Sequence, residues 1–133
     1  MEWIGIRKLL SGEDIRHLEK DLQIVLPEDY CKQIPQINGG ALKNAYWESP
    51  EHGRISYSRN VNLSREAKGN VYLLIDAINE SERRYFPFGS VGNGDYFCFD
   101  LKTGKVVLYA HEQNAFYDIC SSYTEFMNRL IVK

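Results

Sequence analysis

The stretch from Arg84 to Asp100 limits most strongly what this chain can fold into. Its second half alternates between two faces, one carrying Tyr96, Cys98 and Asp100 and the other Phe97, Phe99 and Leu101. The glycines and asparagine at 92–94 suit the positive φ angles of a tight turn, so the stretch predicts a β-hairpin. Pro87 has no N–H for a sheet ladder and is therefore expected at an edge, a bulge or a strand end.

The glycines of this hairpin also allow a second interpretation, a phosphate-binding loop over Gly89–Gly94. A P-loop requires G-x-x-x-x-G-K-[ST] before a helix, and a dinucleotide loop requires G-x-G-x-x-G in the same context. Here the spacing differs, no lysine follows, and the next residues predict a strand. The pattern favours a hairpin turn.

Three helix starts are visible from their capping residues. Ser11 precedes two acids, Pro27 precedes Glu28-Asp29, and Ser122-Tyr123-Thr124-Glu125 has the pattern of a capping box. Apolar residues follow each start at helical spacing. Pro35 falls inside the second predicted helix, where it removes a hydrogen bond and is expected to kink or split the helix.

The remaining patterns predict strands between these helices. Besides the hairpin, strands are expected at 42–47, 55–57 and 105–109, and the continuous apolar run Val71–Asp76 is typical of a central strand. Residues 60–70 are polar and locally basic and are expected to form an exposed connection. The order predicts one α+β domain over residues 1–133, with a central twisted, mainly antiparallel sheet packed by N-terminal helices and a C-terminal helix.

Composition and net charge limit the kinds of molecule that this chain is expected to bind. The 133 residues carry a formal net charge of -2, which argues against a general nucleic-acid-binding protein. No apolar run has the length of a transmembrane helix, and the N-terminus lacks the layout of a signal peptide, so a cytoplasmic location is expected. Aromatic residues make up 13% of the chain and favour a packed sheet and a protein-binding surface, while the oligomeric state stays open.

The sequence gives only weak support for a metal site or for a nucleophilic cysteine. The metal candidates lack a standard ligand spacing; they are His52, His111, Glu112, Asp95 and Asp100. The three cysteines are far apart, with no Cys-x-x-Cys, and are expected to be buried free thiols. Cys98 alternates with two phenylalanines in a predicted strand, which is typical of an inert thiol.

Paired carboxylates are the last catalytic possibility. Asp95 and Asp100 are five residues apart on one strand, which places them on opposite faces and about 17 Å apart. Glycosidase pairs are only about 5–9.5 Å apart. We therefore expect a protein without catalytic residues, cofactor or metal, and not an enzyme.

Two groups of motifs resemble those of a known family. Leu26-Pro27-Glu28-Asp29-Tyr30 followed by Asn38-Gly39-Gly40 resembles the L-P-x-[DE]-[YF]…N-G-G motif of the SUKH superfamily. In the second half the matching segments are Phe86–Gly89, Gly94–Asp100, Gly104–Val107, His111-Glu112 and Ser122–Phe126 with Leu130. The resemblance spans nearly the whole chain and implies a SUKH-like fold.

The resemblance implies a binding function without catalysis. Bacterial SUKH proteins are commonly immunity proteins that neutralise a cognate polymorphic toxin, often a nuclease, and relatives occur beside toxins of the LXG type. Fungal relatives regulate cell-wall assembly, which gives a regulatory scaffold as the alternative. Neither role implies direct contact with nucleic acid or membrane.

On the immunity hypothesis, a tyrosine-rich, acidic surface would cover the toxin's substrate groove, with acids in place of substrate phosphates. The predicted partner-binding residues are Tyr46, Glu48, Glu51, Asp76, Glu80 and Glu82. For each acid, the alternative interpretation is a solvated loop residue.

Overall fold

Four helices and two antiparallel sheets make up the fold, and the computed structural model describes all residues 1–133. The helices are α1 (Gly12–Leu22), α2 (Glu28–Ile37), α3 (Val71–Ile78) and α4 (Tyr123–Arg129). The strands are β1 (Ala45–Ser49), β2 (Gly53–Ser56), β3 (Arg59–Asn60), β4 (Tyr85–Ser90), β5 (Tyr96–Asp100), β6 (Val106–Ala110), β7 (Ala115–Cys120) and β8 (Ile131–Val132). The α+β prediction is confirmed.

The larger sheet has the strand order β3-β4-β5-β6-β7, and the smaller has the order β2-β1-β8. Beyond β3, the larger sheet continues only as isolated bridges, from Arg59 to Ala41 and from Ala41 to Ile4. None of the four helices is long and apolar enough to cross a membrane.

The predicted hairpin is confirmed as β4 and β5. Phe86 lies opposite Phe99, and the register shifts between Pro87 and Gly89, so the proline lies at a bulge as its missing N–H requires. Gly92 and Gly94 have φ angles of 107° and 98°, values that favour glycine. Alternation therefore sends the phenylalanines of β5 to one side of the sheet and Cys98 to the other.

The main core lies between the helices and the inner face of the larger sheet. Phe88 packs on Phe99 with ring centroids 4.3 Å apart, and Tyr30 of α2 packs on Phe99 at 5.0 Å. Phe126 of α4 packs on Phe97 at 4.8 Å. These aromatic side chains are almost completely buried, so sheet, α2 and α4 share one core.

The predicted helix starts are confirmed. Ser11 and Asp14 form a capping box on α1, and Pro27 precedes the first residue of α2. Ser122 caps α4 by accepting from the Glu125 N–H, although the Glu125 carboxylate accepts from Ser121 rather than completing the box with Ser122.

Pro35 does not split α2. The helix runs without interruption to Ile37, because the proline lies in its last turn, where few intrahelical bonds remain to be lost. The Pro35 carbonyl, which lies in the last turn and has no acceptor role within the helix, accepts from the Leu10 N–H at 3.0 Å and so has a partner outside it.

The prediction of a central strand at Val71–Asp76 is wrong, because this run forms α3. Asn70 caps the helix by accepting from the Leu73 N–H, and its buried residues Val71, Ile75 and Ile78 recur at helical spacing. Asp76 lies on the exposed side of this helix. A short, continuous apolar run does not distinguish a strand from a helix by periodicity, and the cap decided the outcome.

At its C-terminal end, α3 protects one edge of β4. The Asn79 amide donates to the Tyr85 carbonyl at 2.8 Å, and the Tyr85 N–H donates to Asn79 Oδ1 at 3.0 Å. The side chain thus satisfies both backbone groups that a neighbouring strand would otherwise bind.

The prediction of an exposed connection over residues 60–70 is only partly right, because Arg65, Glu66, Lys68 and Gly69 are exposed but the rest of the segment is half-buried or buried. Asn60, Val61, Leu63 and Asn70 are buried, and Asn60 belongs to β3. Two of these asparagines donate hydrogen bonds to backbone carbonyls. Asn60 Nδ2 donates to the Ile37 carbonyl, and Asn70 Nδ2 donates to the carbonyls of Arg65 and Ala67.

One ion pair closes the far end of the hairpin. The Arg84 guanidinium donates from Nε and Nη2 to the two Asp100 carboxylate oxygens at 2.9 and 2.8 Å, and the Lys102 N–H donates to Oδ1 at 3.0 Å. These hydrogen bonds, led by those from Arg84, lower the pKa of Asp100 below its usual value. Only 9% of the Asp100 side chain is exposed, so its carboxylate is shielded from water, whereas 38% of the Arg84 side chain is exposed.

The pair predicts how stability depends on pH. Folding lowers the pKa of Asp100. Its contribution to the free energy of unfolding is therefore complete above the pKa of about 3.9 that it has in the unfolded chain, and is lost as the pH falls through its pKa in the folded chain. Asp100→Asn should cost about 1.5–3 kcal/mol at neutral pH and weaken the loss of stability below about pH 4. Urea unfolding at pH 7 and pH 3 measures both effects. Asp76→Asn is the control, because its pair with Arg83 is exposed and should cost less than about 1 kcal/mol; equal losses for the two variants would contradict the prediction.

Candidate protein-binding surface

The outer face of the larger sheet carries a row of aromatic side chains. Tyr96 of β5 lies opposite Tyr109 of β6, and Tyr109 lies opposite Phe116 of β7. Tyr85 of β4 stacks on Phe116 with ring centroids 3.7 Å apart and planes at 11°. We call these four half-buried residues the aromatic row; large side chains left half in water on a sheet are typical of a binding surface.

A small buried layer fixes the aromatic row in place. Cys98, Val107 and Ile78 are buried, and the aromatic row packs against them. Tyr109 and Phe116 also pack on each other with centroids 5.1 Å apart, and the Arg84 guanidinium lies 5.1 Å from the Tyr85 ring. Because strands and neighbouring rings both restrain these side chains, they would lose little conformational entropy on binding.

Three of the predicted partner-binding residues come together beside this row. Glu80 and Glu82 line a groove of about 290 Å³ that also includes Tyr85 and Phe116. A second groove of about 550 Å³ shares both glutamates and includes Asp76. The loop after α3 thus places these acids at one end of the aromatic row.

The other three predicted residues lie on the smaller sheet. The Arg54 guanidinium is 4.4 Å from the Tyr46 ring centroid, and its Nε is 3.6 Å from the Glu48 carboxylate. Glu51 lies in the turn between β1 and β2, beside His52. The structure therefore separates the six predicted residues into two groups on different sheets.

Most of these acids already have a basic neighbour. Asp76 binds Arg83 at 2.9 Å, Glu82 lies 3.6 Å from Lys102, and Glu48 pairs with Arg54. Glu51 lies 3.9 Å from His52, which forms an ion pair with it only when the histidine is protonated, and Glu80 has no ion pair. Local pairing reduces the negative field that either group presents to a partner.

Among the metal candidates, the structure joins only one pair. The His111 Nδ1 is 2.6 Å from Asp95 Oδ1, and the His111 backbone N–H donates to the same oxygen at 3.0 Å. His52 packs on Tyr117, and Asp100 binds Arg84. No group of three His, Cys, Asp or Glu side chains is placed to hold a metal ion.

Comparison with known families identifies the chain. Residues 12–127, from the first residue of α1 into α4, match the family model SUKH_6, described as SMI1-KNR4 cell-wall. The chain belongs to this SUKH family. No curated protein sequence matches it significantly.

The thiols of this SUKH domain are poor nucleophiles. Cys98 is fully buried, which raises its pKa well above the usual value. Burial is the main cause that raises the pKa of Cys31 and Cys120 to about 11, and nearby carboxylates contribute to the rise at Cys31. The prediction of buried thiols is confirmed for Cys98, whereas Cys31 and Cys120 are half-buried. All three therefore stay protonated at neutral pH.

Sequence reasoning missed the aromatic row of this SUKH domain. The alternation in β5 places Tyr96 and Cys98 on the same side, which was the available signal. Bringing Tyr109 and Phe116 beside Tyr96 requires the register of β5, β6 and β7, and Tyr85 joins them from another strand. These pairings link residues from separate parts of the chain, so no local pattern contains them.

Proposed function

We propose that this SUKH domain is an immunity protein, which acts in the cytoplasm by binding a cognate polymorphic toxin and has no catalysis of its own. Family membership is consistent with an immunity role or with a cell-wall regulatory role. The aromatic row is the observation that carries the proposal, because it gives the domain a rigid, partly apolar surface suited to a protein partner.

The row has the anatomy of an interface centre. Tyrosine and other aromatic residues dominate binding hot spots, where they are surrounded by polar residues that exclude water. Here Glu80, Glu82 and Lys102 form such a rim at the end where Tyr85 and Phe116 stack. Toxin side chains that insert between this rim and the aromatic row would be covered by this domain and so shielded from the toxin's substrate.

The size of the row sets a condition on the complex. The four neighbouring strands that carry the row, β4 to β7, span only about 14 Å between the outer two, whereas stable complexes bury about 800 Å² on each partner. Our proposal therefore includes in the interface the two grooves that share Glu80 and Glu82, since they lie beside the row. Together they extend the binding surface to Asp76 on α3.

We infer that the toxin is a nuclease, in a system of the LXG type. A nuclease has a basic substrate groove, and the unpaired Glu80 at the end of the aromatic row would approach such a groove favourably. Glu80→Lys should then slow association and reduce its dependence on salt.

The family description, which names the cell wall, favours a second candidate function: a regulatory scaffold in cell-wall assembly. The two functions differ in the number and kind of partners. An immunity protein binds one toxin in a one-to-one complex, whereas a scaffold binds several host proteins and leaves toxin activity unchanged.

Co-expression with the toxin encoded beside this protein's gene tests the proposal. We expect cells producing both proteins to survive, and the double variant Tyr109→Ala/Phe116→Ala to lose about 100-fold or more in affinity for the toxin, since each hot-spot residue is worth about 2 kcal/mol or more. Cell survival and the dissociation constant of the purified pair are the measurements.

Tyr117→Ala is the matched control, because this residue is also half-buried on β7 but packs on His52 instead of the aromatic row. It should keep protection and affinity. If cells with the unaltered protein die as fast as cells without it, the immunity function is wrong. If the double variant is folded and still protects, the aromatic row is not the binding surface.

A further inference from the structure

We propose that a basic pocket at the other end of the outer face binds a phosphate group. The pocket has a volume of about 420 Å³ and is formed where β3, the N-terminal arm (residues 1–10) and the turn before α3 meet. Its basic side chains are Arg7, Arg59 and Lys68, and its lining includes no acid. This inference goes beyond the proposed toxin partner and does not depend on it.

The cations of this pocket have no counter-ion within the chain. None of them takes part in an ion pair, whereas Arg54, Arg83 and Arg84 each pair with a carboxylate. In a protein with a net charge of -2, three neighbouring unpaired cations are a local excess that repels itself. A bound dianion would remove that repulsion.

Arg7 is held at the pocket by a hydrogen bond of its backbone and by the packing of its aliphatic side-chain carbons. The Arg7 N–H donates to the Asn38 carbonyl at 2.8 Å, and a Cβ added at Gly39 would lie 3.0 Å from Arg7 Cβ. Glycine at position 39, with φ of 71°, therefore makes room for the arginine stem. The N–G–G segment thus positions a cation.

Uncharged donors add to the cations. Asn62 Oδ1 accepts from Asn38 Nδ2 at 3.1 Å and from the Ser64 N–H at 2.9 Å, so the carbonyl end of this amide is committed. Its Nδ2, which donates to no other protein group, remains for a ligand. The pocket therefore offers an amide donor, two guanidinium groups and an ammonium group.

This donor set fits phosphate better than a single carboxylate. A phosphate monoester carries about −1.5 to −2 charges at neutral pH and has three strong acceptor oxygens, and arginine matches its geometry with paired N–H groups. The volume exceeds that of one phosphate, and Tyr96 lines the wall. The group is either free phosphate or the phosphate of a nucleotide, whose base could stack on Tyr96.

Titration of the purified protein with inorganic phosphate and with AMP, at constant ionic strength set by chloride, tests the site. We expect both to bind and to raise the thermal unfolding temperature. Equal affinity would identify free phosphate as the ligand, and tighter binding of AMP would identify a nucleotide. Arg59→Gln and Arg7→Gln should each weaken binding at least about tenfold, whereas Lys105→Gln, an exposed cation beyond the opposite end of β5, should not.

Unfolding without phosphate separates ligand binding from a structural role. If the cations bind a ligand, Arg59→Gln should leave the unfolding temperature unchanged or raise it, because it removes like-charge repulsion. The proposal is overturned if phosphate and AMP give no response up to the millimolar range, or if polyglutamate binds and phosphate does not. Protection against the toxin is measured separately, so failure of either proposal is recognised without the other.

Discussion

Replacing Phe88 by alanine is expected to lower the free energy of unfolding by about 3–5 kcal/mol, close to the whole stability of many domains. Phe88 lies in the centre of the main core and only 1% of it is exposed. Its ring contacts Phe99 of β5, Tyr123 and Phe126 of α4, and Tyr30 of α2. Alanine would therefore leave a cavity between the sheet and two helices at once, which neighbouring rings cannot fill without leaving their own contacts.

Urea unfolding followed by circular dichroism measures this loss, with the slope of the transition checked for two-state behaviour. Leu73→Ala is the control, because this large apolar residue of α3 is 66% exposed and should change stability by less than about 0.5 kcal/mol. A cost for Phe88→Ala no larger than that of the control would contradict the packing described above.

The second large effect is expected at Trp47, which attaches the smaller sheet to α4. Its ring is stacked on Phe126 with planes at 2° and is 1% exposed, and its Nε1–H donates to the Phe126 carbonyl at 3.2 Å. The Arg129 guanidinium lies 4.5 Å from the ring. Trp47→Ala should cost about 3–5 kcal/mol, because it removes the largest side chain of the core together with a buried hydrogen bond.

Two further variants separate the contributions of the Trp47 ring and its N–H from that of the other tryptophan. Trp47→Phe keeps an aromatic ring but no N–H, and should cost less than the alanine variant. Trp3→Ala removes the other tryptophan, which is only half-buried and packs on the edge of Tyr57 at 6.3 Å. Urea unfolding of the three variants should rank Trp47→Ala as the least stable; a larger loss for Trp3→Ala would show that the N-terminal arm, and not Trp47, secures this side of the core.

Local signals predicted the parts of the fold that depend on local chemistry. The hairpin followed from alternation and from glycines in its turn, and three of the four helices followed from their caps. The Val71–Asp76 run misled because its apolar residues suit a strand or a helix. Its cap, Asn70, was a usable signal.

Less of the candidate binding surface could be predicted from the sequence. Asp76, Glu80 and Glu82 proved to be neighbours because a short loop connects them. Tyr46, Glu48 and Glu51 are on another sheet, and that separation depends on the register of β1 with β2 and β8. Ion pairing was equally invisible: Arg83 and Lys102 reach their carboxylates only in the folded chain.

The way Asn79 binds Tyr85 has a consequence for how copies of this protein can meet. Sheets polymerise when each copy offers two complementary edges, so that every addition leaves a new edge for the next. Here the β4 edge is occupied by the asparagine amide and by the two-residue β3, beyond which only isolated bridges continue. The larger sheet therefore presents one full-length free edge, at β7. Two larger sheets that paired through β7 would leave no further full-length edge of that sheet for a third copy.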